Sequence, residues 1–181
     1  IAHSYERVMP GKDYLSSIIN FWRVYAGKNI ESADKCEEFL SKIINIDKYP
    51  LTRLSSITSS ETAKVLENTY RAVNIALMDE WGKFAEYVGI DLFEVVNAIK
   101  IRPTHNNIMR PGFGVGGYCL TKDPSFALAS YRQLFSGKEN KFPLSTIASR
   151  INYNMPQHVF DLVKKALGDI ILGKKIHILG V

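Results

Sequence analysis

The sequence predicts α/β structure in the N-terminal third, then a mainly α-helical central domain with one long helix, and the start of a further α/β domain at the C-terminus. Three observations carry that expectation. As far as Ile57, short aromatic and β-branched runs alternate with helical patterns. From Thr58 the chain stays free of glycine and proline until Gly82, with apolar residues at helical spacing. At the far end, Lys174-Lys175-Ile176-His177-Ile178-Leu179-Gly180-Val181 reads as a buried strand reaching a glycine turn.

Each element has a local reason. Ile1-Ala2-His3-Ser4 is apolar enough to finish a strand, and Pro10-Gly11 marks the turn that follows. Asp13 is placed to cap a short helix. Phe21 to Ala26, aromatic and β-branched and closed by Gly27, reads as a strand. Ser32 is placed to cap a helix through Ile44, with Phe39, Leu40, Ile43 and Ile44 on one buried face and Cys36 in a structural role. Leu51 to Ile57 reads as another short strand. Thr58-Ser59-Ser60-Glu61 is a capping-box pattern, and Gly89 closes the helix it opens, about 30 residues and roughly 45 Å long. An apolar stripe from Val65 and Leu66 through Thr69, Val73, Ala76, Leu77, Trp81 and Phe84 to Val88 is wide enough for two neighbours or a partner chain. Lys64, Asn68 and Arg71 share another face, which periodicity alone reads as solvated. Asp91 and Glu94 repeat the capping logic for a helix through Lys100. Ile101 to Gly117 is a long irregular connection carrying Arg102, His105, Asn106, Asn107 and Arg110, and loops of that length inside a domain tend to be functional. Pro124 opens a helix through Phe135, a polar loop runs from Gly137 to Lys141, and Pro143 starts a helix that Pro156 interrupts or kinks. A further helix reaches about Leu167, and Gly168 and Gly173 bracket the step into the last strand.

With 181 residues, 46% of them hydrophobic, the chain is long enough to bury a core. No apolar run approaches the roughly 20 residues of a membrane span. Two well-separated cysteines are not a disulfide framework and read as a reducing cytosol. A net charge of +5 suits an anionic ligand and is too mild and scattered for nucleic acid. No metal-ligand spacing is present. Both ends read as cut, which makes the chain an expected fragment of a longer protein.

The most constrained stretch is Pro111-Gly112-Phe113-Gly114-Val115-Gly116-Gly117-Tyr118-Cys119-Leu120-Thr121-Lys122-Asp123-Pro124. Glycines let backbone N–H groups approach an anionic ligand and set the next side chain, Cys119, on a sharp turn. A thiol is nucleophilic as its thiolate, which Lys122 and the glycine amides are placed to favour, and Asp123 is placed to orient a water or a basic partner. Gly112, Gly114 and Gly117 also fit G-x-G-x-x-G, but the preceding residues are no strand, so a dinucleotide loop is not expected. The competing reading is a glycine-rich surface turn beside a buried, inert cysteine.

Read together, Ser4-Tyr5-Glu6-Arg7-Val8-Met9-Pro10-Gly11, Glu61-x-x-Lys64-x-x-x-Asn68-x-x-Arg71, Gly89-Ile90-Asp91 and the glycine-to-Pro124 stretch resemble the UDP-glucose/GDP-mannose dehydrogenase family, NAD-dependent enzymes that oxidise a nucleotide sugar at C6. The resemblance implies that residues 1–57 are the C-terminal part of an NAD-binding α/β domain. Residues 58–153 would be a central helical domain for dimerisation and catalysis, and 154–181 a linker helix and first strand of a nucleotide-sugar-binding domain. It implies that Cys119 is the nucleophile, forming a thiohemiacetal and then a thioester. Lys64 and Asn68 would stabilise developing negative charge, Asp123 would handle water and protons, and Glu6 would assist thioester hydrolysis. Pairing with Asp123 or Glu6 would offset the burial of the Lys64 ammonium. Ile108, Met109, Arg110, Gly112, Val115, Gly116 and Gly117, with Arg7 and Val8, would hold the UDP-sugar, and Glu6, Cys119 and Lys122 would border the NAD. A cytoplasmic homodimer serving polysaccharide biosynthesis, with no nucleic-acid or membrane partner, is implied as well.

Tyr5 departs from the family's usual proline, and Tyr118 from its serine or histidine. Lys122 fits the UDP-glucose branch, whereas Glu6 to Gly11 and Gly114 to Gly117 fit the N-acetylhexosamine branch, so the sugar stays open. With no dinucleotide glycine loop, the chain alone is expected to lack most of the NAD site and to be inactive. Two rival readings are a non-catalytic helical dimerisation module and a cysteine hydrolase using His105 or His158, neither of which shows an orienting partner in the sequence.

Overall fold

Residues 1–9, 11–135, 141–168 and 171–179 are described by a computed structural model, in which the chain divides into two units, Ile1–Asn68 and Thr69–Val181. The first holds a three-stranded sheet in the order β1 (Ala2–Ser4), β2 (Val24–Gly27), β3 (Thr52–Arg53). β1 runs antiparallel to β2, His3 opposite Ala26, and β3 runs parallel to β2, Val24 opposite Thr52. Helix α1 (Tyr14–Ile19) precedes β2, and α2 (Ile30–Ser41) makes the crossover to β3 that a parallel pair needs. Tyr25, Ala26, Ala33 and Ile44 are buried. The step from β2 into α2 is tight: a Cβ on Gly27 would lie 2.2 Å from the Ala33 backbone nitrogen.

Local signals placed these elements to within a few residues. β2 begins at Val24 rather than Phe21, and Trp22 is exposed. β3 pairs over two residues instead of seven, Thr52 and Arg53 lying opposite Val24 and Tyr25. Asp13 precedes α1 but makes no side-chain capping bond. The cap of α2 is Asn29, whose side chain accepts from the Ser32 N–H at 2.9 Å while the Asn29 N–H donates to Ser32 Oγ at 3.1 Å. Ser32 is therefore the reciprocal partner of the cap. The helix ends at Ser41, and Phe39 and Ile43 are exposed while Ile44 is buried, since a sheet this narrow covers only part of the apolar face.

Helix α3 (Ile57–Val88) has 32 residues, and the boundary between the units falls within it. Its first turn is capped two residues earlier than Thr58, by Ser56 Oγ accepting from the Ser59 N–H at 3.1 Å. Gly89, at φ 76°, turns the chain, and the Gly89 and Ile90 N–H groups both close on the Ala85 carbonyl, at 2.8 and 3.0 Å. Asp91 accepts from the Phe93 N–H at 2.8 Å and starts α4 (Leu92–Lys100). Met78, Ala85, Leu92 and Val96 form the core of the second unit, with Ile108 and Met109 packed on it.

Only one edge of the expected stripe on α3 is covered, Ala76 buried and Val65, Thr69 and Val73 half-buried. Ala72, Ala76, Met78, Asp79 and Ala85 are buried, whereas Leu66, Leu77, Trp81, Phe84 and Val88 are exposed. Small side chains let neighbouring segments approach the helix closely, and they leave the larger ones on the opposite side. Residues 101–117 are irregular apart from one turn of 3₁₀-helix at Pro103–His105, and a second such turn, Asp123–Ser125, leads into α5 (Phe126–Leu134). The last helix, α6 (Pro143–Leu167), runs through Pro156 without interruption. Residues 174–179 carry no strand pairing and are exposed, for a strand exists only through a ladder partner and none lies beside them among the described residues. Pro10, most of the 137–141 loop and the Gly180-Val181 end lie outside the described residues.

Candidate functional site

In the first unit the predicted residues gather around Tyr5. Its side chain is buried and its hydroxyl donates to Glu67 Oε2 at 3.1 Å. The Arg7 guanidinium donates to the same carboxylate oxygen through Nε at 3.2 Å and Nη2 at 3.0 Å, to Tyr5 Oη at 2.9 Å, and to the Trp22 carbonyl at 3.1 Å. It also stacks over the Tyr5 and Phe21 rings. Burial, opposed by Arg7, pushes the Tyr5 phenol up. Arg23, also buried, donates to the Tyr5 carbonyl at 3.0 Å, and burial pulls its guanidinium down. Tyr5 in place of the usual proline is thus an anchor that fixes the Glu6-Arg7-Val8 segment.

Lys64 and Asn68 are half-buried, and Arg71 one turn further on is exposed, so the first two do not lie on a fully solvated face. The Lys64 ammonium sits over the Tyr5 ring and donates to the Glu6 carbonyl at 3.4 Å. The carboxylate of Glu6 instead accepts from the Val8 N–H, closing a local turn and leaving the Glu6 carbonyl to Lys64. The expected pairing of Lys64 with a carboxylate is therefore replaced, at Glu6, by a backbone carbonyl.

In the second unit Cys119 is exposed, which removes the reading of a buried, inert thiol there. Cys36 fits that description better: it is half-buried, and burial pushes its thiol up. The Cys119 carbonyl accepts from the Lys122 and Asp123 N–H groups at 3.2 and 2.9 Å, a turn that leaves Asp123 5% exposed beneath it. The Lys122 ammonium donates to Asp123 Oδ1 at 2.7 Å and is held between the Tyr118 and Phe126 rings, each 4.7 Å away. The hydrogen bond to Asp123 raises Lys122 above its ordinary value. So the ammonium expected beside the thiol is bonded to Asp123 and still feels the Cys119 sulfur electrostatically.

The glycine loop has two left-handed residues here, Gly114 at φ 88° and Gly117 at φ 79°. A Cβ on Gly114 would lie 2.6 Å from the Asn152 carbonyl oxygen and 2.8 Å from Met155 Cβ, whereas Gly112 and Gly116 face open space. Ile108 and Met109 turn their side chains into the core, Arg110 is exposed, and Val115 borders a cleft of about 50 Å³ with Leu120, Ser149 and Tyr153. No strand precedes Gly112, and no helix opens at Gly117, so this loop does not fit a dinucleotide pyrophosphate.

Sequence reasoning missed Asp79 and Glu67. Asp79 is 1% exposed, and its Oδ1 accepts from the Gly112 N–H at 3.3 Å. Its signal was an acid in register with Ala72 and Ala76 at helical spacing. Glu67 carried no signal, since charged residues are usual on a helix surface. His158, which had no visible partner, has one: its Nε2 lies 2.9 Å from Glu86 Oε2, a pairing of α6 with α3 that sequence distance hides. His105 Nδ1 lies 2.8 Å from Thr104 Oγ1. Among the described residues no cluster of three or more His, Cys, Asp or Glu side chains is arranged to hold a metal, and no helix is long and apolar enough to cross a membrane.

This combination of one long helix, a capped helical turn and a glycine loop ending in an exposed cysteine defines a class. The chain belongs to the UDP-glucose/GDP-mannose dehydrogenase family, whose central domain it matches over residues 58–154. Among individual relatives, it is 34% identical to a UDP-N-acetyl-D-mannosamine dehydrogenase of Methanocaldococcus jannaschii over 181 residues, 100% of this chain and 39% of that protein. The solved UDP-D-ManNAc dehydrogenase of Pyrococcus horikoshii superposes with a TM-score of 0.75 at 34% identity, covering 93% of this chain and 37% of that one. An NDP-N-acetyl-D-galactosaminuronic acid dehydrogenase from Methanosarcina mazei gives a TM-score of 0.79 at 28% identity, covering 96% and 37%. The chain thus spans about two fifths of the length of the curated relatives it matches.

Proposed function

We propose that the protein containing this chain oxidises the C6 hydroxymethyl group of a UDP-sugar to the UDP-uronic acid, a four-electron change with Cys119 as the covalent anchor. The observation that carries this reading is the exposed Cys119 on a glycine-led turn, its carbonyl bonded by the N–H of the buried Asp123. Two oxidations at one carbon need the intermediate aldehyde to be retained. The Cys119 thiolate bonds to that carbon, and the tetrahedral adduct, once oxidised, is a thioester that water cleaves to the acid and the free thiol. Lys64 and Asn68 are the proposed donors to the oxygen that gains charge. Asp123 and Glu6 are the proposed carriers of the proton released by water. NAD is the proposed cofactor and supplies the hydride acceptor; Gly112 to Gly117 is not the loop that holds its pyrophosphate.

The Arg7, Val8 and 108–117 segments are proposed to bind the sugar nucleotide. For Arg7 the rigid engagement with Glu67 favours backbone contacts from Arg7 and Val8 over a free guanidinium. The N-acetylhexosamine branch is favoured for the sugar, since relatives named for UDP-N-acetyl-D-mannosamine match the whole chain. We assign residues 1–57 to the end of an NAD-binding domain, 58–153 to the central domain and 154–181 to the lead into a third. Polysaccharide precursor synthesis in the cytoplasm is the setting that chemistry suits. The test is turnover of NAD by the intact protein with UDP-glucose, UDP-N-acetylglucosamine and UDP-N-acetylmannosamine. Reduction of two NAD per sugar, best with the last, is expected; no reduction with any of the three overturns the reading. The exposed Leu77, Trp81 and Phe84 on α3 favour one second reading, a non-catalytic dimerisation module, which that negative result would support.

A further inference from the structure

We propose that Asp79 is a positioning residue that seats the glycine loop leading to Cys119. It lies on the small-residue face of α3, in line with Ala72 and Ala76, both almost wholly buried. One carboxyl oxygen accepts from the Gly112 N–H at 3.3 Å, and the other is buried with no hydrogen-bond partner. The Gly114 amide also acts on this carboxylate, without a well-formed bond to its second oxygen. For stability alone this is a poor choice, because a buried carboxyl with one well-formed hydrogen bond costs more than an apolar side chain of the same size. What the carboxyl supplies is an acceptor where the loop crosses the helix.

The loop is held from α6 as well. Gly114 packs so closely on the Asn152 carbonyl and Met155 that no other residue fits its place. Pro156 has no N–H to bond the carbonyl four residues back, which is that of Asn152, so the helix leaves this carbonyl to whatever packs against it. The Asn152 side chain in turn donates to the Ala72 carbonyl of α3 at 3.0 Å. Gly112 and Gly114 are therefore fixed at two points, by Asp79 and by the Asn152–Met155 turn, and the chain runs from there to Cys119. A displacement of about 1 Å at a nucleophile is enough to slow a reaction many-fold. The importance of this seat for turnover rests on the function proposed above; the seat itself does not.

The test is hydrogen exchange by mass spectrometry on the intact protein, read in the peptide spanning Gly112 to Cys119. The rate of Cys119 alkylation by iodoacetamide is followed in the same peptide. Asp79→Ala and Gly114→Ala are each expected to speed exchange of the loop about tenfold, the effect of losing one net hydrogen bond or close contact, and to change the alkylation rate. Peptides from α4 should keep the parent's protection. Asp79→Asn, whose amide oxygen still accepts from Gly112, should restore the parent's values, which a general loss of packing would not allow. Unchanged loop exchange in Asp79→Ala overturns the proposal whatever Gly114→Ala does, as does an asparagine variant as loose as the alanine one. If Asp79→Ala does not fold, Asp79→Leu, which fills the same space without an acceptor, decides by its loop exchange. Neither readout needs turnover, so a protein inactive with every UDP-sugar would refute the catalytic reading and leave this one to stand or fall alone.

Discussion

Asp79 and Asp123 are both buried acids, and their partners set them apart. Asp123 has an ammonium at 2.7 Å. Asp79 has the Gly112 amide at 3.3 Å and a weaker contribution from the Gly114 amide, and Lys83 and His158 act on it only through their charge. Burial accordingly raises Asp79 above its ordinary 3.8. A carboxyl raised on folding binds protons more tightly in the folded state, so its contribution to stability is complete below 3.8 and is lost as pH rises through the folded value. Asp79→Asn should therefore be more stable than the parent at neutral pH, with the gap closing on acidification; parallel denaturant midpoints across that range would show that the carboxyl is not raised. At Cys119 the expectation concerns chemistry instead. Cys119→Ser in the intact protein should abolish acid formation and keep the parent's circular dichroism, because a hydroxyl is not ionised by surroundings that suffice for a thiol. Acid production at the parent's rate would remove the covalent step.

At the scale of elements, two glycines separate backbone strain from crowding. Gly89 has a positive φ of 76° and open space around its missing Cβ, so Gly89→Ala should cost only the left-handed penalty, about 1–2 kcal/mol. Gly27 has no positive φ, but its Cβ would sit 2.2 Å from a backbone nitrogen of α2 that no rotamer change can move. Gly27→Ala should cost more than about 3 kcal/mol, through displacement of α2 from β2. Urea midpoints of the two variants check the order, and a larger loss at Gly89 would contradict the packing of α2. Such positions show why caps were legible. Gly89 and Asp91 work through neighbours one to four residues away, whereas Asn29 and Ser56 displaced the expected Ser32 and Thr58 because several hydroxyl and amide side chains near each helix start compete for the same free N–H groups.

For the whole molecule, the placement of large apolar residues on the outside of α3 points to association. Trp81 is 49% exposed and packs edge-on against Phe84, with Leu77 exposed one turn before it. The intact protein is expected to sediment as a dimer and Trp81→Glu as a monomer with unchanged helix content; a parent that is monomeric at micromolar concentration would oppose this. By itself the sequence determined the long helix, the turn at Gly89, the helix from Leu92 to Lys100 and the glycine loop that delivers Cys119, because each depends on contacts within a few residues. Tertiary structure alone decided which face of α3 is buried, since periodicity reports that a stripe exists and not whether alanines or aromatics turn inward. It also decided that Glu67 clamps Arg7, that Glu86 meets His158 and that Asp79 lies under Gly112, pairings that join residues 33 to 72 positions apart. Residues 174–179 illustrate the same limit: their pattern suits a strand, but a strand is a property of two segments, and the hydrogen bonds that would make it one require a neighbour.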